Sequence, residues 1–342
     1  MNKKMKAAVF EGVGNLKVKE VEVPVIENHD ELILEVEVCS ICGTDVHIMK
    51  VPPGYEAKPG TILGHELVGK VVEKGEKVRT LEIGDRVVIN PDLYCGICRY
   101  CRKKLPNECE NIISMGIEAD GGFAEYVKIT EKVAHKINKN LPAEIAAFAE
   151  PLACAVNGMN KIKVEFGESA LIIGAGPIGL LFTQLLKAAG VNPVIVSEPT
   201  ELRQEYARKC GADYVVNPFQ TDLEKYVKDI IDIGVDVTVD AVGSQINECI
   251  KTVRKGGRVL LFGVNMKAES AIKQSEITTK EIQILGTWLA KDNFPRAVEI
   301  LESNILNVEL LITHKLNLDE IHKGIKLLDK GEGIKVLIYP KR

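Results

Sequence analysis

The chain has 342 residues, 46% of them hydrophobic, which at roughly 100–200 residues per domain suggests two domains. Forty-four Lys plus Arg against 48 Asp plus Glu give a formal charge of −4 with no single-sign block. This excludes the basic excess that a nucleic-acid or anionic-membrane binder would carry. Nine cysteines and an N-terminus, MNKKMKAAVF, without the apolar core of a secretory signal point to the cytoplasm, where clustered thiols bind metal or do chemistry.

Up to about residue 150 the chain reads as β-rich. KAAVF, LKVKEVEVP, ELILEVEVCS and KVVEKG alternate with period two between Gly, Pro and Asn punctuation. Between these strands stand Cys42-Gly-Thr44-Asp45-Val-His47 and Gly64-His65-Glu66. Cys, His and Glu from scattered loops are the donor set of a catalytic zinc site with an open position. Singly, a Cys after a strand is ordinary core and a Glu beside a His an ordinary solvated pair. Side by side, in a chain with a nucleotide-type turn, they read as ligands.

Cys95-x-x-Cys98-x-x-Cys101-x7-Cys109 follows, four thiols within fifteen residues. Short spacings let thiolates converge on one ion, and four of them leave no open position, so a structural zinc is expected. The surrounding loop has too little apolar content to hold its shape without an ion; an iron–sulfur cluster is the main competitor.

From about Glu168 strands and helices alternate: ALIIG, IGLLFTQLLKAAG, VIVSE, ELRQEYARKCG, YVV, LEKYVKDIID, VDVTVDAVG and RVLLFG. That pattern predicts a parallel sheet with helices on both faces. The apolar run 170–186 contains glycines, Pro177, Thr183 and Gln184, and so reads as strand, turn and helix rather than as a membrane span. Gly174-Ala-Gly176-Pro177-Ile178-Gly179 sits between the first strand and its helix, the context that a pyrophosphate-binding turn requires. Glu198, nineteen residues beyond Gly179, is placed to accept hydrogen bonds from the adenosine ribose and to repel a 2′-phosphate, which favours NAD. Arg203 qualifies this, because a nearby arginine can hold that phosphate. A helix (PRAVEILES) and a last helix–strand pair close the chain. Cys39, Cys154, Cys210 and Cys249 read as small buried hydrophobes. His29, His135 and His322 are expected at the surface, and His314 is given no chemistry.

CGTDVH, LGHELVG, GDRV, the four-cysteine lobe, GGFAEY, AEPLACAVNG and GAGPIG occur in an order and spacing that resemble the zinc-dependent medium-chain dehydrogenases, in particular their sorbitol (polyol) and threonine dehydrogenase branch. The resemblance covers essentially the whole chain. It implies an α/β plus β architecture: a GroES-like catalytic domain over 1–155 with the zinc lobe at 88–112, an inserted doubly wound Rossmann domain over 156–288, and a segment 289–342 returning to the catalytic domain. It implies a homo-oligomer, a dimer or tetramer.

Residue by residue, the family's catalytic zinc ligands match Cys42, His65, Glu66 and Glu150. Asp45 matches the acid that orients the ligand histidine, a role any zinc-bound imidazole needs filled. Thr44 matches the hydroxyl that bonds the substrate oxygen, and His47 the position that passes a proton to solvent. Val242, Phe262, Gly263, Val264 and Thr287 are further cofactor positions. A carboxylate at Glu150, beside Glu66, makes the metal oxygen-rich and suits vicinal hydroxyls.

The implied activity is hydride transfer between NAD and the secondary alcohol or ketone of a polyol, sugar or sugar acid, with two zinc ions per chain. Threonine 3-dehydrogenase is the alternative, on SEPTELRQEYARKCGADYVVNPF and ITHK. Against it, MKVPPGYEAKPG lacks the tryptophan usual in that enzyme and LACAVNG replaces its GNAV. The arginine that sorbitol enzymes carry just after the equivalent of Gly286 is missing from GTWLAKDNF as well. From another class, a non-catalytic NAD- and zinc-binding interaction protein would need the lobe and the turn but not the four ligands together. The same four disfavour a zinc-free quinone reductase.

Overall fold

The structure, a computed structural model, describes residues 3–341. The chain divides into two compact units. One comprises Met1–Ala153, Ala290–Ser303 and Ile312–Arg342; the other comprises Cys154–Leu289 and Asn304–Leu311. A short piece of the C-terminal segment, Asn304–Leu311, thus clusters with the second unit.

The first unit begins with the hairpin β1 (Lys4–Gly12) and β2 (Asn15–Glu22), followed by β3 (Glu31–Ser40), α1 (Gly43–Ile48), β4 (Glu66–Lys74), β5 (Arg86–Ile89) and β6 (Asp92–Leu93). The lobe carries α2 (Arg99–Arg102) and β7 (Ile113–Ser114); β8 (Tyr126–Thr130), β9 (Ala134–Lys136) and α3 (Ala143–Ala146) come next, and α4 (Ala149–Ile162) starts in this unit, with its residues from Cys154 on in the second. Strand β3 is central: β4 and β8 both pair with it antiparallel, and eight of its ten residues are buried although Glu31, Glu35 and Glu37 interrupt its apolar pattern.

The second unit is one parallel sheet: β10 (Ala170–Ile173), β11 (Val194–Ser197), β12 (Tyr214–Val216), β13 (Val235–Asp240), β14 (Val253–Leu261) and β15 (Gln283–Gly286). Between them run α5 (Pro177–Ala188), α6 (Glu201–Lys209), α7 (Leu223–Ile230), α8 (Ile246–Thr252) and α9 (Gln274–Lys280). The strand order is β12-β11-β10-β13-β14-β15, so the chain reverses direction beside β10, and β10 and β13 bound the switch point where such sheets bind ligands. Buried β10 and β11 are uniformly apolar up to Ser197, as strands covered on both faces must be.

Back in the first unit, α10 (Phe294–Glu302), β16 (Ile312–Asn317), α11 (Ile321–Asp329) and β17 (Lys335–Tyr339) complete the larger sheet, in the order β16-β17-β3-β4-β5-β9. The fold class expected from sequence is therefore present: a GroES-like β unit and a doubly wound parallel sheet. His135 departs from expectation. It is not a free surface residue but half-buried, stacked on Phe294 with ring centroids 5.2 Å apart. Cys39, Cys210 and Cys249 are buried as expected, whereas Cys154 is only half-buried.

Candidate active site

Within the first unit, α1 and the start of β4 bring three donors together. Cys42 is the N-cap of α1, with the Asp45 carboxylate accepting its backbone N–H at 2.8 Å. His65 and Glu66 lie where the chain enters β4, 6% and 1% exposed. One ligand atom from each of Cys42, His65 and Glu66 falls within 4.8 Å of the others. Thr44 Oγ1 is 3.6 Å from Cys42 Sγ, and His47 follows on the same helix, half-buried. Glu150, in the first turn of α4, is outside this group of three, but its charge acts on both His65 and Lys335.

The electrostatics of the trio suit a cation. Burial alone would lower the His65 pKa, but Cys42, Asp45 and Glu150 together hold it well above the ordinary imidazole value. Asp45 is fully buried and its carboxyl is pushed up to about 6, mainly by burial, although His65 pulls it down. Asp45 Oδ1 and His65 Nδ1 are 3.9 Å apart, and neither buried atom has a hydrogen-bond partner. An imidazole with one nitrogen turned to a metal and the other to a carboxylate would satisfy both.

Sequence reasoning did not find Lys335. In β17 it is 1% exposed, its ammonium pairs with Glu66 Oε2, and it sits 5.6 Å from the centroid of the Phe148 ring. Ser40 donates to the same oxygen, while Glu66 Oε1 accepts no hydrogen bond from the described residues. The signal was available: a lysine alternating with Leu337 on a strand apolar on both faces has to be buried with a carboxylate.

Cys95, Cys98, Cys101 and Cys109 also lie with their sulfurs within 4.8 Å of one another. Backbone amides serve the sulfurs: Cys95 N–H to Cys109 Sγ and Cys98 N–H to Cys95 Sγ, both 3.3 Å, and Cys101 N–H to Cys98 Sγ, 3.5 Å. The amides of Ile97 and Cys98 bring the Cys95 thiol down to about 6, whereas burial and the neighbouring thiols push Cys101 up to about 12, so a cation is needed to hold both as thiolates. The amide bonds favour thiolates, which is the form a structural zinc needs.

In the second unit the Gly174–Gly179 turn joins β10 to α5. Gly174 has φ +97° and its Cα faces Val242 Cγ2; a Cβ on Gly179 would come within 1.9 Å of Gly174 O, whereas a Cβ on Gly176 would meet nothing within 4 Å. The open space over Gly176, its helix N-cap, fits a pyrophosphate that takes the free amides of α5. Pro177 and Ile178 form the first turn of α5, and Gly263 packs against Val242. Val264 is exposed, Phe262 lays its ring edge-on against Phe182, and Thr287 Oγ1 is buried without a partner. Glu198 is 3% exposed and accepts from Ala175 N–H at 2.7 Å and Thr200 N–H at 3.0 Å, so it braces the turn directly. Arg203 stands on α6 with its Nε buried and unpartnered.

Comparison with known proteins agrees with this geometry. Residues 28–139 match the alcohol dehydrogenase GroES-like domain and residues 177–303 the zinc-binding dehydrogenase domain. The chain is 37% identical to L-threonine 3-dehydrogenase of Thermococcus kodakarensis over 94% of each protein. It is 34% identical to D-arabinitol dehydrogenase 1 of Uromyces fabae, over 98% of this chain and 97% of that one. A crystal structure described as a zinc-binding dehydrogenase of Sinorhizobium meliloti 1021, bound to NADP, superposes with a TM-score of 0.95 at 32% identity, covering 99% of this chain and 100% of that one. The chain belongs to the zinc-dependent medium-chain dehydrogenase family.

Proposed function

We propose that this protein is an NAD-dependent zinc oxidoreductase acting on a small polar secondary alcohol and the corresponding ketone, of the polyol or sugar type. The observation that carries this reading is the convergence of Cys42, His65 and Glu66 within 4.8 Å. These residues, with Glu150 beside them, would hold the catalytic zinc, and Cys95, Cys98, Cys101 and Cys109 a structural one. The Gly174–Gly179 turn, Glu198, Val242, Gly263, Val264 and Thr287 would hold the dinucleotide. When bound, zinc supplies Lewis acidity toward the substrate oxygen and NAD supplies the hydride acceptor.

The chain's own residues handle the proton. Thr44 is close to Cys42 and would hydrogen-bond the substrate hydroxyl. His47 would then carry the proton to solvent: burial and the Lys50 charge hold its pKa below the ordinary imidazole value, so it is neutral and can accept. Asp45 would fix the tautomer of His65, and Lys335 would hold Glu66 in place. Nine cysteines, five of them offered as metal ligands and none in a disulfide among the described residues, suit a reducing, cytoplasmic compartment. The outer edge of β15, unpaired among the described residues, is consistent with a homo-oligomer, a dimer or tetramer.

The test is a panel of secondary alcohols with NAD and with NADP, followed by absorbance of the reduced cofactor. Turnover of a polyol with NAD is the expected result. L-threonine belongs in the panel because of the 37% identity to the T. kodakarensis enzyme; a protein that turns over only threonine, or nothing, overturns the polyol reading.

A further inference from the structure

Beside the Cys42–His65–Glu66 trio, the first unit builds a wall whose chemistry bears on the substrate. The chain from Ser114 to Gly122 lies flush against the residue preceding His65: a Cβ on Gly116 would come within 2.6 Å of Gly64 backbone atoms, and one on Gly121 within 2.1 Å of Gly64 O. Gly116, at φ +75°, can make that approach only without a side chain. This segment is tied to two others. Ser114 Oγ donates to Asp92 Oδ1 at 2.8 Å, and Ser114 N–H to Glu118 Oε2 at 3.0 Å. Lys58 N–H donates to Ile117 O at 2.9 Å, and Gly54 N–H to His47 O, also at 2.9 Å. The loop carrying Tyr55 is thereby stitched both to α1 and to the segment carrying Glu118.

The segments that carry Asp92, Tyr55 and Glu118 are thus tied to one another, and Gly116 and Gly121 press on Gly64, the residue before His65. Asp92 is 4% exposed. Tyr55 is half-buried, its ring packed against the core of the first unit, and its hydroxyl makes no hydrogen bond to the described residues. The charges acting on Asp92 come from His65 and Glu118, and those acting on Tyr55 from Asp92 and Glu118. No lysine or arginine is among them.

We propose that Tyr55, Asp92 and Glu118 form the substrate-selecting wall of the site, so that it takes alcohols carrying a second hydrogen-bond donor and no negative charge, and rejects phosphorylated or carboxylate-bearing sugars. The inference rests on the proposed dehydrogenase reading and narrows it. A polyol or an amino alcohol brings O–H or N–H donors, which the Asp92 carboxylate accepts, while the Tyr55 hydroxyl is free to donate or accept. A phosphate or carboxylate placed there would face two carboxylates with no lysine or arginine acting on them, and like charges brought together cost affinity steeply.

The experiment pairs neutral polyols with their phosphates and with the corresponding sugar acids, and includes amino alcohols, on the full-length zinc-loaded protein. Both kcat/KM and binding by calorimetry in the presence of NADH are measured, for the native chain and for the double substitution D92N/E118Q. The native protein should prefer the neutral member of each pair by roughly 10- to 100-fold, with D92N/E118Q shrinking that preference by improving the anionic member. Tyr55→Phe should raise KM for a diol while leaving KM for a simple secondary alcohol nearly unchanged. Equal affinity for neutral and anionic partners, unchanged by D92N/E118Q, overturns the wall. Calorimetry needs no turnover, so that result is distinct from the absence of NADH from every alcohol, which overturns the dehydrogenase reading instead.

Discussion

Lys335 and Glu66 form an ion pair in which the two side chains are only 2% and 1% exposed. The pair spans three strands: Lys335 on β17, Glu66 on β4, and between them β3, whose Ser40 donates to the same carboxylate oxygen. A buried pair is not by itself a source of stability, because desolvation offsets the attraction. Its effect is positional. Glu66 Oε2 is fixed by two donors, which holds the carboxylate beside Cys42 and His65.

Removing one partner should therefore be severe. Lys335→Met strands a buried carboxylate and should destabilise the protein by about 3–5 kcal/mol in urea unfolding. The double variant Lys335→Met with Glu66→Gln should recover much of that loss. A single variant as stable as the native chain would mean that the pair is not formed.

His135 makes stability depend on pH. Burial holds its pKa below the ordinary 6.5, so the folded chain binds that proton less readily than the unfolded chain. Its contribution is fully present above pH 6.5, and falls away as the pH drops from there through the folded-state pKa. His135→Phe, which can keep the stacking on Phe294, should flatten the Tm-against-pH curve across that window. An unchanged slope would place the pH dependence elsewhere.

Two glycines of the β10–α5 turn should behave differently. Gly179→Ala drives a Cβ into Gly174 O and should lower Tm, with or without cofactor. Gly176→Val faces open space; it should fold with nearly native Tm yet bind NADH at least roughly tenfold more weakly, a loss of about 1.4 kcal/mol. Calorimetry with NADH checks the pair, and tight binding by Gly176→Val would remove the pyrophosphate from that turn.

Much of this architecture is legible in the sequence, because its signals are local. ALIIG-AGPIG announces strand, turn and helix through a change of period and three glycines, and the four-cysteine spacing is contained in one short loop. What escapes is set by long-range pairing. Lys335 reads as a buried lysine opening an apolar strand, but which carboxylate pairs with it follows only from strands 269 residues apart in sequence meeting at Glu66. Glu198 was legible as an acid at a strand end, but not its bond to the Ala175 amide, which depends on the β10–α5 turn lying beside the end of β11. Helices α8 and α9 and strand β15 gave no reading in advance: α8 and α9 have seven residues each and β15 has four, too short for periodicity to declare itself.

Two metal sites of different kind are thus assigned to one chain, one structural and one for chemistry. Counting zinc and measuring turnover and NADH affinity in the native protein, in Cys42→Ser and in Cys98→Ser tests this most directly. About two ions per native chain are expected. Cys42→Ser should keep the lobe ion, a near-native Tm and NADH binding while losing turnover, and Cys98→Ser should lose the lobe ion together with thermal stability. Native turnover by Cys42→Ser, or unchanged zinc content and Tm in Cys98→Ser, would contradict it.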